Sequence, residues 1–128
     1  MNEAIITVNS GNMRQRPLIA VCGGRTYNDT HRVYGVLDKW HRQIPNMMVV
    51  QGGAKGADAL AKAWCRSRLV PCVEIGAMWA ELGDSAGPTR NLWVLDLWPN
   101  MVLSFPGGTG TYHMETHAER RGIPVLRV

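Results

Sequence analysis

Three glycine clusters and one arginine supply most of the chemistry available to this chain of 128 residues. The clusters are Gly23-Gly24-Arg25, Gly52-Gly53-Ala54-Lys55-Gly56 and Pro106-Gly107-Gly108-Thr109-Gly110-Thr111. Without a Cβ, backbone comes close to a ligand and successive N–H groups converge on an anion. Where a helix follows, its amino terminus adds partial positive charge. Gly23-Gly24 taken alone reads as a turn. The third cluster packs three glycines and two hydroxyls into six residues, more than a turn requires, and predicts phosphate or ribose-phosphate binding. Arg90 follows Gly87-Pro88 at the start of an apolar segment, where a helix dipole disfavours a cation. A ligand role, with the guanidinium holding phosphate through parallel hydrogen bonds, is therefore the stronger reading. Asn91 beside it offers a neutral donor or a cap for the same helix.

Other candidates have two readings each. Asp58, just past Gly56-Ala57, either caps a helix or bonds a ribose hydroxyl. Lys55 is solvated or meets phosphate as a mobile point charge. Trp79 stacks on a base or anchors its loop, and Tyr112 is a second selectivity candidate. His113 and His117 share a helix face, but no third ligand accompanies them, so no metal is expected. The G-x-G-x-x-G signature would need glycine where His113 stands, and no GK[ST] follows any loop. A nicotinamide enzyme and a P-loop ATPase are both disfavoured, and no cofactor is expected.

These loops need strands to carry them. Five short apolar runs read as buried parallel strands: Leu18 to Cys22, Met47 to Val50, Cys72 to Ile75, Met101 to Phe105 and Val125 to Val128. Pro17, Pro71 and Pro124 stand at strand starts, where a missing amide proton costs little. Helical spacing intervenes at Val33, Leu37, Trp40 and Ile44, behind a cap at Asp29 or Thr30, and again from Ala57 to Arg68. The alternation predicts an α/β, Rossmann-like open parallel sheet of about five strands with helices on both faces. Gly76 to Pro88 reads as a long loop of the kind that builds binding sites. The next helix begins near Thr89. Its 91–98 segment is apolar nearly all round, which predicts a homo-oligomer burying Trp93, Leu97 or Trp98.

The length suits one core, giving residues 1–16 as a loose or edge-strand arm carrying Ile5, Ile6 and Val8, and 17–128 as a single domain. No apolar run reaches the roughly twenty residues of a membrane span, and no basic-then-apolar leader opens the chain, so a cytoplasmic location is expected. Cys22, Cys65 and Cys72 have no metal-ligand spacing and read as reduced core thiols. The net charge of +4 favours an anionic ligand only mildly. Basic residues scattered one or two at a time argue against a nucleic-acid surface.

In the order of Gly23-Gly24-Arg25, Gly52 to Asp58, the Trp79 loop, Gly87-Pro88-Thr89-Arg90-Asn91 and Pro106 to Thr111, the chain resembles the SLOG superfamily. Within it, the chain resembles the YspA/YpsA-related branch found in bacteria and their phages. The resemblance spans Leu18 to Val125. It implies neighbouring first and fourth strands, with Gly23 to Arg25 beside Gly107 to Thr111 at the switch point. It also implies a nucleotide or nucleotide-derived ligand bound by these loops, in a sensing, carrying or sequestering module. The superfamily also holds the Lonely Guy phosphoribohydrolases, which cleave base from ribose 5′-monophosphate, and members that only bind ligands or DNA. Catalysis is left open by that range. The resemblance maps the hydrolase arginine onto Arg90, and the glutamate of P-G-G-x-G-T-x-x-E onto Met114. Glu115 lies one residue on, turned about 100° around a regular helix. An N-glycoside hydrolase using Arg90, Glu115 and Asp58 is the alternative function, and a DNA-processing accessory the weaker one.

Overall fold

The computed structural model describes residues 16–128, so the 1–16 arm with Ile5, Ile6 and Val8 lies, but for Arg16, outside the described residues. Five strands alternate with helices: β1 Leu18–Cys22, α1 Thr30–Gln43, β2 Met48–Gln51, α2 Ala57–Arg68, β3 Cys72–Glu74, α3 Trp79–Leu82, α4 Ala86–Asp96, β4 Met101–Ser104, α5 Thr109–Arg120 and β5 Val125–Arg127. All strand pairs are parallel, in the order β3-β2-β1-β4-β5. Ile19 of β1 pairs with Val49 on one side and Met101 on the other. The chain winds outward from β1 to β3, then crosses back to β4. The switch point between β1 and β4 is where loops part above the carboxyl edge and leave a crevice.

Side-chain alternation along β1 separates two cores. Ile19 and Val21 pack with Val33 and Leu37 of α1 and with Ala61 and Trp64 of α2. Leu18, Ala20 and Cys22 pack with Val94 and Leu95 of α4 and with Met114 and Ala118 of α5. Each face of the sheet thus carries one helix pair, and the central strands β1 and β4 are buried along their whole length. Trp64 is fully buried, and its Nε1 donates to Asp38 Oδ1 at 2.9 Å, which ties α2 to α1. Of the two cap candidates for α1, Asp29 serves: its Oδ1 accepts from the Arg32 amide at 2.9 Å, a contact of about 1 kcal/mol.

Three expectations change. The Gly76 to Pro88 stretch is not an open loop, because α3 and a 3₁₀ turn at Gly83–Ser85 fill it and α4 starts at Ala86. Gly87 and Pro88 fit the first turn of α4, where amide protons have no intrahelical partner to lose. The outer strands are not covered on both faces: Cys72 and Glu74 of β3, and Leu126 and Arg127 of β5, are exposed, because the helix pairs centre on β1, β2 and β4. Cys72 is for that reason no core thiol, whereas Cys22 and Cys65 are buried. No helix among the described residues is long and apolar enough to cross a membrane.

Candidate functional site

A cavity of about 540 Å³ opens at the switch point. Its walls come from the ends of β1 and β2, from the first turn of α5, and from α3 and α4. Gly24 joins the loops beneath it: its N–H donates to the Pro106 carbonyl at 2.8 Å, and its own carbonyl accepts from Ala57 at 3.2 Å. Close approach explains several glycines. A Cβ on Gly56, at φ +76°, would overlap the Gly24 carbonyl, and one on Gly107 would overlap the Thr111 hydroxyl. Gly108 and Gly110 differ. Both line the cavity, and a Cβ on either would meet open space.

Arg90 sits in the interior of α4 rather than at its start, and its guanidinium reaches the cavity wall. Nη1 donates to the Gly52 carbonyl, and Nε donates to Asn91 Oδ1 at 3.2 Å. Burial lowers the Arg90 pKa from its usual value, opposed by the charge of Asp58 nearby. Asp58, 5% exposed, accepts the Gly52 and Ala54 amide protons on a single oxygen, Oδ2, each at 3.2 Å. Burial pushes its carboxyl up to about 6, against the lowering effect of those two amides and of Arg90. Asn91 is also interior to α4 and caps nothing there. Its Nδ2 donates to the Gly110 carbonyl at 3.2 Å and lies 3.2 Å from His113 Nδ1.

The amino terminus of α5 has no side-chain cap, so the first-turn amides at Thr109, Gly110 and Thr111 have no partner from a capping side chain beside the cavity. Across from them, Trp79 lines the opening, with Arg25 Cζ 5.0 Å from its ring centroid and Gly87 beneath. The arrangement pairs amide donors and the Arg90 guanidinium at one end with the Trp79 plane, flanked by Arg25, at the other.

The structure thus brings together Gly23, Gly24, Arg25, Gly52, Ala54, Asp58, Trp79, Arg90, Asn91, Gly108, Thr109, Gly110 and Thr111 on one wall system. It leaves out six named residues. Lys55 is exposed off the wall, Gly53 packs beside Glu74, and Gly56 and Gly107 serve loop contacts. Glu115 points elsewhere: Ser104 Oγ donates to its Oε2 at 2.6 Å, and Arg127 Nε lies 3.4 Å from its Oε1. Met114 takes the cavity side of that helix turn. Tyr112 is 68% exposed and stands off the wall. Sequence reasoning missed Asp84 and assigned His113 only to the metal question; both line the cavity. Burial and the neighbouring His117, whose ring centroid is 4.2 Å away, hold the His113 pKa below its usual value. Among the described residues no group of three or more His, Cys, Asp or Glu is placed to hold a metal ion.

Known proteins bear on this geometry. The chain is 32% identical over 116 residues to the gene 61 protein of Mycobacterium phage D29, covering 84% of this chain and 93% of that protein. Its fold is similar to that of DNA processing protein A (DprA) from Streptococcus pneumoniae, with a TM-score of 0.50 and 14% identity. That match covers 98% of this chain but only 60% of the DprA chain. The profile of the YspA, cpYpsA-related SLOG family matches residues 17–81, which include the first two glycine loops and Asp58. With the parallel sheet, the switch-point crevice and the 32% identical phage relative in agreement, the chain belongs to the YspA, cpYpsA-related SLOG family.

Proposed function

We propose that the protein binds a nucleotide or nucleotide-derived, phosphate-bearing small molecule in the switch-point cavity, as a sensor, carrier or sequestering module. Membership of the SLOG family supports a nucleotide-related binding or processing role in general. One observation carries the finer reading: Gly108 and Gly110 border the cavity although no neighbour requires a glycine at either place. Gly110 lies within α5, where glycine costs up to about 1 kcal/mol relative to alanine. Open space above uncapped amides is what an approaching anion uses. Phosphate oxygens bind the Thr109 to Thr111 amides and the Arg90 guanidinium, while the base stacks on Trp79. Neutral His113 and Asn91 contribute hydrogen bonds between the two ends. Hydrolysis is the weaker reading, since Glu115 is engaged by Ser104 and Arg127.

Purified protein, denatured and analysed by mass spectrometry for retained small molecules, tests this directly. A thermal-shift panel of nucleoside monophosphates, ADP-ribose-like compounds and cyclic dinucleotides ranks ligand classes by linkage. Because the fold neighbour is named for DNA processing, short single-stranded oligonucleotides belong in the same panel. Stabilisation by one small-molecule class, lost in Arg90→Ala, supports the proposal. Stabilisation by oligonucleotides alone overturns it.

A second copy of the chain covers the outer side of α4. Trp93 and Leu97 are 36% and 39% exposed there, while Val94 and Leu95 face the sheet. Exposed aromatic and aliphatic side chains on one helix make an economical self-complementary surface.

A further inference from the structure

Away from the switch-point cavity, on the β3 edge of the sheet, two cysteines from different elements line one surface cavity. Cys65 of α2 is buried and Cys72 of β3 is exposed. That cavity, of about 550 Å³, is also lined by Gln51, Lys62 and Glu74. Gln51 Nε2 lies 3.8 Å from Cys72 Sγ and donates to Glu74 Oε1 at 3.0 Å, where Lys62 Nζ also sits at 3.0 Å. Cys22, by comparison, is buried in the opposite core and donates to Ser104 Oγ at 3.5 Å.

We propose that Cys65 and Cys72 are a redox-active dithiol, in which Cys72 attacks a hydroperoxide and Cys65 then closes an intramolecular disulfide. The geometry provides an accessible sulfur and, lining the same cavity, a resolving sulfur shielded from solvent. The electrostatics agree. The neighbouring Cys65 thiol brings the Cys72 pKa down to about 7, helped by the Gln51 amide and opposed by burial, and Cys72 in turn raises that of Cys65. A large thiolate fraction at neutral pH is what a reacting thiol needs.

In the first step the Cys72 thiolate attacks one peroxide oxygen, the O–O bond breaks, and the leaving alkoxide or hydroxide takes a proton. Cys72 becomes a sulfenic acid. In the second step the Cys65 sulfur attacks that sulfenic sulfur, the S–O bond breaks, and water leaves with the Cys65 proton. Two thiols have lost two electrons, and the peroxide has been reduced to two waters, or to water and an alcohol.

The test treats the intact protein with one equivalent of hydrogen peroxide at neutral pH, then maps the cross-link by mass spectrometry. The expected product has lost two hydrogens, carries a Cys65–Cys72 link and returns to the dithiol with dithiothreitol. In Cys65→Ser, Cys72 should accumulate a dimedone-trappable sulfenic acid. Its alkylation midpoint should also rise toward the free-thiol value of about 8.5. Cys65→Ala repeats both readings if the serine is poorly tolerated in the core. Both thiols remaining free, or a link through Cys22 or between two chains, overturns the proposal, and the wild-type measurement decides this without any variant.

Discussion

Arg90 lies against Gly52, giving an N–H to its carbonyl in a space that any Cβ at position 52 would occupy. Gly52 is outside the left-handed region, so alanine there brings no backbone strain and acts only by displacing the guanidinium. Gly52→Ala is therefore expected to reproduce the binding defect of Arg90→Ala. Removing a charge-assisted hydrogen bond of about 1.5–3 kcal/mol corresponds to roughly 10- to 150-fold in affinity. Isothermal titration of both variants against the best ligand from the thermal-shift panel measures it, and wild-type affinity in Gly52→Ala would refute the arrangement.

Asp58 makes stability fall as pH rises. Its carboxyl is raised from 3.8 to about 6 by burial, so between those values the folded chain holds a proton that the unfolded chain has released. Its contribution is full below the unfolded value and is lost as pH climbs through about 6. The size is on the order of 3 kcal/mol. Asp58→Asn keeps one oxygen to accept the Gly52 and Ala54 amides. Its stability should accordingly be flatter than wild type between about pH 4 and 7 in urea titrations.

Two glycine substitutions should separate packing from binding. Gly110→Ala meets open space within α5 and should leave stability unchanged or raise it by up to about 1 kcal/mol, while weakening ligand affinity. Gly56→Ala combines a φ of +76° with overlap on the Gly24 carbonyl, and should cost more than about 2 kcal/mol. Thermal melts with and without ligand distinguish the two.

Leu97→Glu places a charge on the outer side of α4 without touching the sheet core. Sedimentation at micromolar concentration should give a mass of two or more chains for the wild type and of one chain for the variant, with unchanged circular dichroism. A monomeric wild type would dismiss the second copy.

The sheet was legible because buried parallel strands leave short apolar runs, and Leu18 to Cys22 or Met101 to Phe105 are nearly uninterrupted. Exposure at the edges was not. Cys72-Val73-Glu74 reads much like a central strand, since only the pairing order tells which strand has one neighbour. The start of α4 was hidden by Gly87-Pro88, residues that weaken or end helices inside them but are tolerated in a first turn. That three-residue error moved Arg90 and Asn91 from a helix start to its interior, where they reach Gly52 and Gly110. Asp84 gave no signal at all, because its position on the wall depends on the short helical turns that replaced the expected loop.

Gly24 bonds at once to Pro106 and Ala57, so three segments far apart in the chain share a single anchor under the crevice. The crevice is consequently assembled during folding, and a ligand of the proposed kind need not organise it. Under the proposed function little configurational entropy remains to be surrendered on association, so the fit of the guest, rather than adaptation by the host, would decide which compounds are held.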